Sequence, residues 1–392
     1  MKFRLSAIAA LLASSTVMAA EPTTKELLEL IKEQQAKIES LEKKVDKSQK
    51  KAQEADKKAE ASINAVEQSM SSVDGSKSTI GGYGELHYND IEDNEAIDFH
   101  RFVLFFGHEF TKDIRFFSEL EIEHSLAGDG KPGEVELEQA YVEIDLSDKS
   151  QLKAGLFLVP VGILNETHEP PTFYGVERNP IEKNIIPATW WEAGAAYSTE
   201  FVDGLRADFA LHSGLSVPTD GSKSFLIRDG RQKVAKADAD SLAYTARLKY
   251  TAIPGLELAA SVQVQDDVTQ GELGAGATLF TAHAIYNTGP FGLRALYATW
   301  DIDSEEAKAL GRDEQTGYYI EPSYKLNENY GFFARYNVWD NNAGDAADTE
   351  MRQSNMGVNY WPHENVVFKF DIENRTGAQD GSGFNLGVGY QF

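Results

Sequence analysis

The stretch GFNLGVGYQF, residues 383–392, ends the sequence. Phe384, Leu386, Val388, Tyr390 and Phe392 fall on one face of an extended strand, and Asn385, Gly387, Gly389 and Gln391 on the other. The 392-residue chain carries 62 acidic against 37 basic groups, a formal net charge of −25. A strand this apolar, with an aromatic as its last residue, asks for a physical reason in so acidic a protein.

The same period-2 pattern recurs upstream. Leu256, Leu258, Ala260, Val262 and Val264 alternate with Glu257, Ser261, Gln263 and Gln265. Val366, Phe368, Phe370 and Ile372 alternate with Lys369, Asp371, Glu373 and Arg375. Sixteen such segments fall near 80–90, 97–110, 114–124, 134–146, 151–159, 190–198, 204–213, 240–250, 255–265, 277–287, 291–301, 316–325, 329–340, 352–361, 365–375 and 383–392. Every second join is short, as in TKD, SDKS and NTGP, and the others are mostly longer and acidic. Alternating short turns and long loops predict an all-β fold: a 16-stranded antiparallel transmembrane β-barrel, turns to the periplasm and loops outside. Such a sheet must close, because an open edge would leave backbone groups unpaired in hydrocarbon at several kcal/mol each. The last strand then pairs with the first and must suit the membrane to its final residue. A terminal Phe392 also resembles the signal read by the barrel-insertion machinery of Gram-negative bacteria. Of 16 Tyr, 21 Phe and 5 Trp, many sit near strand ends, where an interfacial girdle needs them.

The totals agree. A mean hydropathy of −0.39 and the lack of an apolar run of about 18 residues in the mature chain exclude a transmembrane helix, not a barrel. The acidity argues against nucleic acid as a partner. The absence of Cys excludes disulfides and thiolate metal sites.

The N-terminus predicts export. Lys2 and Arg4 precede SAIAALLASSTVMAA, which reads as a signal peptide over 1–20. Residues 21–73 read as an α-helical coiled-coil stalk, placed in the periplasm by strand parity. Its a positions include Ile31, Ile38 and Val45, and its d positions Leu27 and Leu41. The alternative is a solvated spacer that never pairs. Residues 74–79 are a Ser/Gly linker, and 80–392 the barrel.

Sixteen strands enclose an aqueous lumen. The polar face supplies wall candidates of both signs: Arg101, Arg115, Lys153, Arg206, Arg247, Arg294 and Arg335 against Glu119, Glu121, Glu257 and Asp371. Facing acidic and basic walls would set up a transverse field. The longest join, NETHEPPTFYGVERNPIEKNIIPAT (165–189), is too apolar to stand in solvent and is expected to fold inward as a constriction. Its candidate lining is Glu166, His168, Glu169, Glu177, Arg178, Glu182 and Lys183. An outer lid or an oligomer latch is the competing reading. A second loop, FLIRDGRQKVAK, places Arg228, Arg231, Lys233 and Lys236 near the mouth.

The stretch EQAYVEI (Glu138–Ile144) and the glycine-proline run Gly155, Phe157, Pro160 and Gly162 resemble the phosphate-selective porins of Gram-negative outer membranes. The resemblance covers about 77–392 and is strongest over 97–200. It implies a sixteen-stranded homotrimeric porin of the outer membrane, with a periplasmic coiled coil in some members. The basic ladder of phosphate-selective members does not map onto this acid-rich barrel residue by residue.

Eight His are scattered without metal spacing, and no G-x-S-x-G elbow or P-loop occurs. His124, beside Glu121 and Glu123, reads better as lumen wall than as a cation site. The expectation is a porin passing ions and small hydrophilic solutes, embedded in outer-membrane lipid, with no cofactor, no metal and no enzymatic activity. The alternatives are a trimeric adhesin anchor and an outer-membrane enzyme.

Overall fold

In the strand Leu256–Gln265, Leu258, Ala260, Val262 and Val264 are exposed while Ala259, Ser261, Gln263 and Gln265 are buried. The apolar set faces out and the polar set faces in, the reverse of a soluble protein. This holds through the computed structural model of the chain, which describes residues 77–92 and 94–392 together with Lys32 and Gln35. The expected signal peptide and stalk lie outside the described residues, those two apart.

Sixteen strands are present: β1 (Ser78–Ile91), β2 (Asn94–Thr111), β3 (Ile114–Glu123), β4 (Val135–Ser147), β5 (Ser150–Leu158), β6 (Trp191–Val202), β7 (Leu205–His212), β8 (Ala243–Tyr250), β9 (Leu256–Gln265), β10 (Gly276–Thr288), β11 (Phe291–Asp303), β12 (Glu314–Lys325), β13 (Tyr330–Asp340), β14 (Met351–His363), β15 (Val366–Gly377) and β16 (Gly381–Gln391). Each pairs antiparallel with its sequence neighbours, and β16 returns to β1 to close the barrel. Tyr83 pairs with Gln391 and Gly84 with Tyr390. Phe392 extends the seam: its N–H donates to Gly82 O at 2.8 Å, and Gly82 N–H donates to Phe392 O at 2.9 Å. The apolar terminus therefore completes a ladder that would otherwise be open in lipid.

Besides register shifts beside four of the short turns, two bulges further inside the strands break the alternation. In β2, Glu85 pairs with Arg101 but His87 pairs with Asp98, so β2 holds one extra residue and turns both His100 and Arg101 inward. In β4, Glu119 pairs with Gln139 and Leu120 with Leu137, which brings Glu138 and Gln139 to the lumen together. The barrel's interior is also filled on one side. Val161, Ile181, Ile185 and Trp190, from the β5–β6 loop, pack with Leu215, Val217, Phe225 and Ile227, from the β7–β8 loop. Both sets rest on inward residues of β10 and β11, among them Leu279, Leu296 and Trp300. Burying each large side chain contributes roughly 1.5–3 kcal/mol, enough in sum to hold both loops inside.

Candidate functional site

The β5–β6 loop crosses the lumen and is clamped to opposite walls. Near its start the Pro160 carbonyl accepts from Ser261 Oγ at 3.1 Å. Glu166 forms an ion pair with Arg247, which also binds Asp208 at 2.8 Å. His168 Nε2 lies 3.3 Å from Glu119 Oε1. On the far side Arg294 donates to Thr172 O at 2.9 Å, and Arg335 to Tyr174 O and Glu177 O at 3.3 Å each. Val176 N–H donates to Asp371 at 2.8 Å. Glu177 is held by His87 Nδ1 at 3.0 Å and Asn89 Nδ2 at 3.1 Å. Burial alone would raise the Glu177 pKa. The hydrogen bond and charge of His87 outweigh it and hold this carboxyl well below its usual range.

Several residues expected to line open water instead secure this loop. Arg247, Arg294, Arg335 and Asp371 point inward and are spent on loop groups, because backbone carbonyls and N–H groups inside the barrel need partners. Glu182 is a correction: it is 0% exposed and so does not line a channel. Its Oε1 accepts from the N–H groups of Ile163 and Leu164 at 2.5 and 2.6 Å, and its Oε2 from Asn179 Nδ2 at 2.9 Å. Gly162, at φ +69°, makes room for it: a Cβ there would stand 2.6 Å from Glu182 Oε1. His168 and Glu169 are likewise buried against the wall.

Glu166, Glu177 and Arg178 keep partial exposure and Lys183 is exposed. Arg178 donates to Thr189 Oγ1 at 2.7 Å, Arg231 to Thr189 O at 2.6 Å, and Arg228 to Lys183 O and Ala188 O at 2.8 and 3.0 Å. Thus the β7–β8 loop, read from sequence as a basic patch near the mouth, joins the β5–β6 loop in one cationic arch. Burial, then repulsion from Arg101, holds the Arg178 pKa below the usual guanidinium range. Burial, with Arg228 and Arg178 nearby, also lowers Lys183, despite Glu177. The nitrogens Nε and Nη2 of Arg178 and Nε of Arg231 are buried without a hydrogen-bond partner. Facing the arch, Glu123, Glu136 and Glu138 lie within electrostatic reach of Arg231. Arg101 stands between the walls, 2.9 Å from Glu85 and 3.6 Å from Glu121.

The remaining wall candidates lie nearer the short turns. Arg115 bonds Glu143 and Asp145, Lys153 sits 3.5 Å from Glu143, Arg206 pairs with Asp208 at 2.9 Å, and Glu257 accepts from His283 at 2.9 Å. His124 meets Asp98 at 2.7 Å rather than Glu121 and Glu123. The β2 bulge adds His100, 3.2 Å from Asp98, and no sequence pattern signals that grouping. Arg101 donates to His100 Nε2 at 2.9 Å, which leaves Nδ1 facing Asp98. A second cluster, Glu123, Glu134 and Glu136, already holds the Lys233 ammonium.

A closed sixteen-stranded barrel, a loop folded across its lumen and facing charged walls are the anatomy of a porin. The family model for phosphate-selective porin O and P matches residues 81–382. The chain belongs to this family. An uncharacterised protein of Aquifex aeolicus (strain VF5) is 31% identical over 335 residues, 74% of each chain. Among solved structures, the anion-selective porin from Comamonas acidovorans has a TM-score of 0.60 at 12% identity, covering 81% of this chain and 100% of its own. Salmonella typhi OmpF, in complex with daunomycin, also scores 0.60 at 12% identity, covering 81% and 98%. Vibrio cholerae OmpT in its trimer form scores 0.54 at 12% identity, covering 81% and 100%. At these identities the solved structures show the fold alone. Family and fold together make this porin an outer-membrane channel rather than an enzyme.

Proposed function

We propose that this porin passes ions and small hydrophilic solutes by passive diffusion, and that its throat, between the cationic arch and the acidic β3–β4 wall, favours small anions such as phosphate. The observation that carries the reading is the set of unpartnered guanidinium nitrogens on Arg178 and Arg231. Buried donors without acceptors cost free energy, about 1–3 kcal/mol each, and a transient anion relieves it. The opposing carboxylates orient dipolar solutes and keep residence short, since conduction needs binding weak enough to release. Glu166, Glu177, Arg178 and Lys183 are the proposed constriction charges. Residues 21–73 are proposed as a periplasmic stalk of a homotrimer, following an export signal and joined by the linker 74–79 to the barrel from residue 80. The heptad positions support that reading, and Phe392 is the proposed contact for the insertion machinery.

The test is the reversal potential across a salt gradient, with phosphate added as blocker. Anion selectivity that falls on Arg178→Glu, with block by millimolar phosphate, is the expected result. Cation selectivity unchanged by that substitution would overturn the anion preference.

A further inference from the structure

Beneath the β5–β6 loop, on the side of the short turns, the lumen wall changes character. Away from the apolar seat that Leu279, Leu296 and Trp300 form under the loops, much of the inward face is polar, with residues such as Gln263, Thr281 and Asn355. Here Phe105, Phe117, Tyr141 and Phe157, from four successive strands, wall a cavity. The Phe105 and Phe117 rings are 5.6 Å apart and those of Phe117 and Tyr141 5.7 Å. The cavity encloses about 70 Å³, narrower than most small-molecule sites, and continues into open water on one side. Pro160 and His168 of the loop roof it.

Its charged groups are not equally committed. Arg247 bridges Glu166 and Asp208, Arg206 also pairs with Asp208 at 2.9 Å, and Glu119 is held by Gln139 at 2.7 Å and His168 at 3.3 Å. Glu169, in the roof, is held above the usual carboxyl range by burial. The partner of Lys153, Glu143, is already bound twice by Arg115, at 2.6 and 2.5 Å. Lys153 Nζ therefore stands over the Tyr141 ring, 4.6 Å from its centre, with donors to spare. Arg206 is an electrostatic neighbour of Lys153, and its side chain is 35% exposed. A cationic pair beside an aromatic wall, roofed against bulk water, fits one ligand chemistry. We propose that this chamber is a binding subsite for aromatic carboxylates, the ring lying against Phe117, Tyr141 and Phe157 and the carboxylate between Lys153 and Arg206. The subsite rests on the channel reading for access by solutes. Lys153 lies three residues from the start of β5 and Arg206 one from the start of β7, so the chamber faces the short-turn side.

The test is saturation binding of benzoate to the purified full chain in detergent, read by calorimetry, with acetate and benzyl alcohol as controls. Benzoate should bind at least about tenfold tighter than either control. Lys153→Met should abolish that margin and Lys153→Arg should keep it. Gel mobility before and after heating identifies folded variants, and Arg206→Met provides a second test should Lys153→Met misfold. Equal affinity for all three probes, or benzoate binding indifferent to both methionine variants, would overturn the subsite. Benzoate binding by a chain that shows no conductance would sink the channel reading and leave the subsite standing. Conductance without saturable benzoate binding would do the opposite.

Discussion

At Gly389 the last strand offers no side chain, and the loop uses the space. A Cβ there would lie 2.2 Å from Pro170 Cβ, and one at Gly387 would lie 3.0 Å from Val176. The glycines opposite the apolar face of GFNLGVGYQF thus record where the loop lies against the wall. From sequence they were legible only as the second face of a strand, because nothing local names a partner more than 200 residues away. Gly389→Val should push Pro170 off the wall at a cost of about 1–3 kcal/mol by overpacking. The expected outcome is a lower unfolding temperature in detergent and noisier open-channel current. Glu182 gives the complementary case: its carboxylate type suggested a channel group, while its burial makes it the acceptor for two loop N–H groups. Glu182→Ala should cost about 1–3 kcal/mol for each donor left unpaired, and Glu182→Gln, which keeps an acceptor oxygen, markedly less. Thermal unfolding of the two variants side by side checks this.

Elements were read more fully than residues. All sixteen strands lie near their expected positions, since a wall with lipid on one side and water on the other imposes a strict period of two. Leu258 faces outward and Glu257 sits beside His283 on the inner face. Leu258→Arg should therefore cost about 2–4 kcal/mol and impair assembly. Glu257→Arg, one residue away, should leave folding intact; equal refolding yields for the two would contradict the face assignment. What the period hides is its interruption. The bulges at Asp98–Arg101 and Glu138–Gln139 shift the inward face by one residue. The inward fold of the β7–β8 loop is not legible from its basic residues, because Phe225 and Ile227 between them drive it and are fully buried. Both loops converge on Trp300, whose Nε1–H donates to Ile185 O at 2.9 Å. Trp300→Ala should cost about 3–5 kcal/mol of packing and release the loop. Larger, fluctuating current steps from a barrel still resistant to detergent are the expected outcome.

For the whole molecule, function follows from closure. Sixteen paired strands leave no backbone edge in the membrane, and the enclosed polar faces hold water. The inward loops then narrow this space and set its charge. On the proposed reading of residues 24–73 as a stalk, their removal should leave a conducting barrel and weaken the proposed oligomer in native gels. Loss of all conductance on that truncation would show that these residues build the channel. The account's central claim, that the barrel encloses a water-filled passage, is tested most directly by recording the purified chain in a planar lipid bilayer. Stepwise, ohmic openings whose size scales with bulk salt conductivity are predicted; a folded, inserted protein that carries no current at any voltage would contradict it.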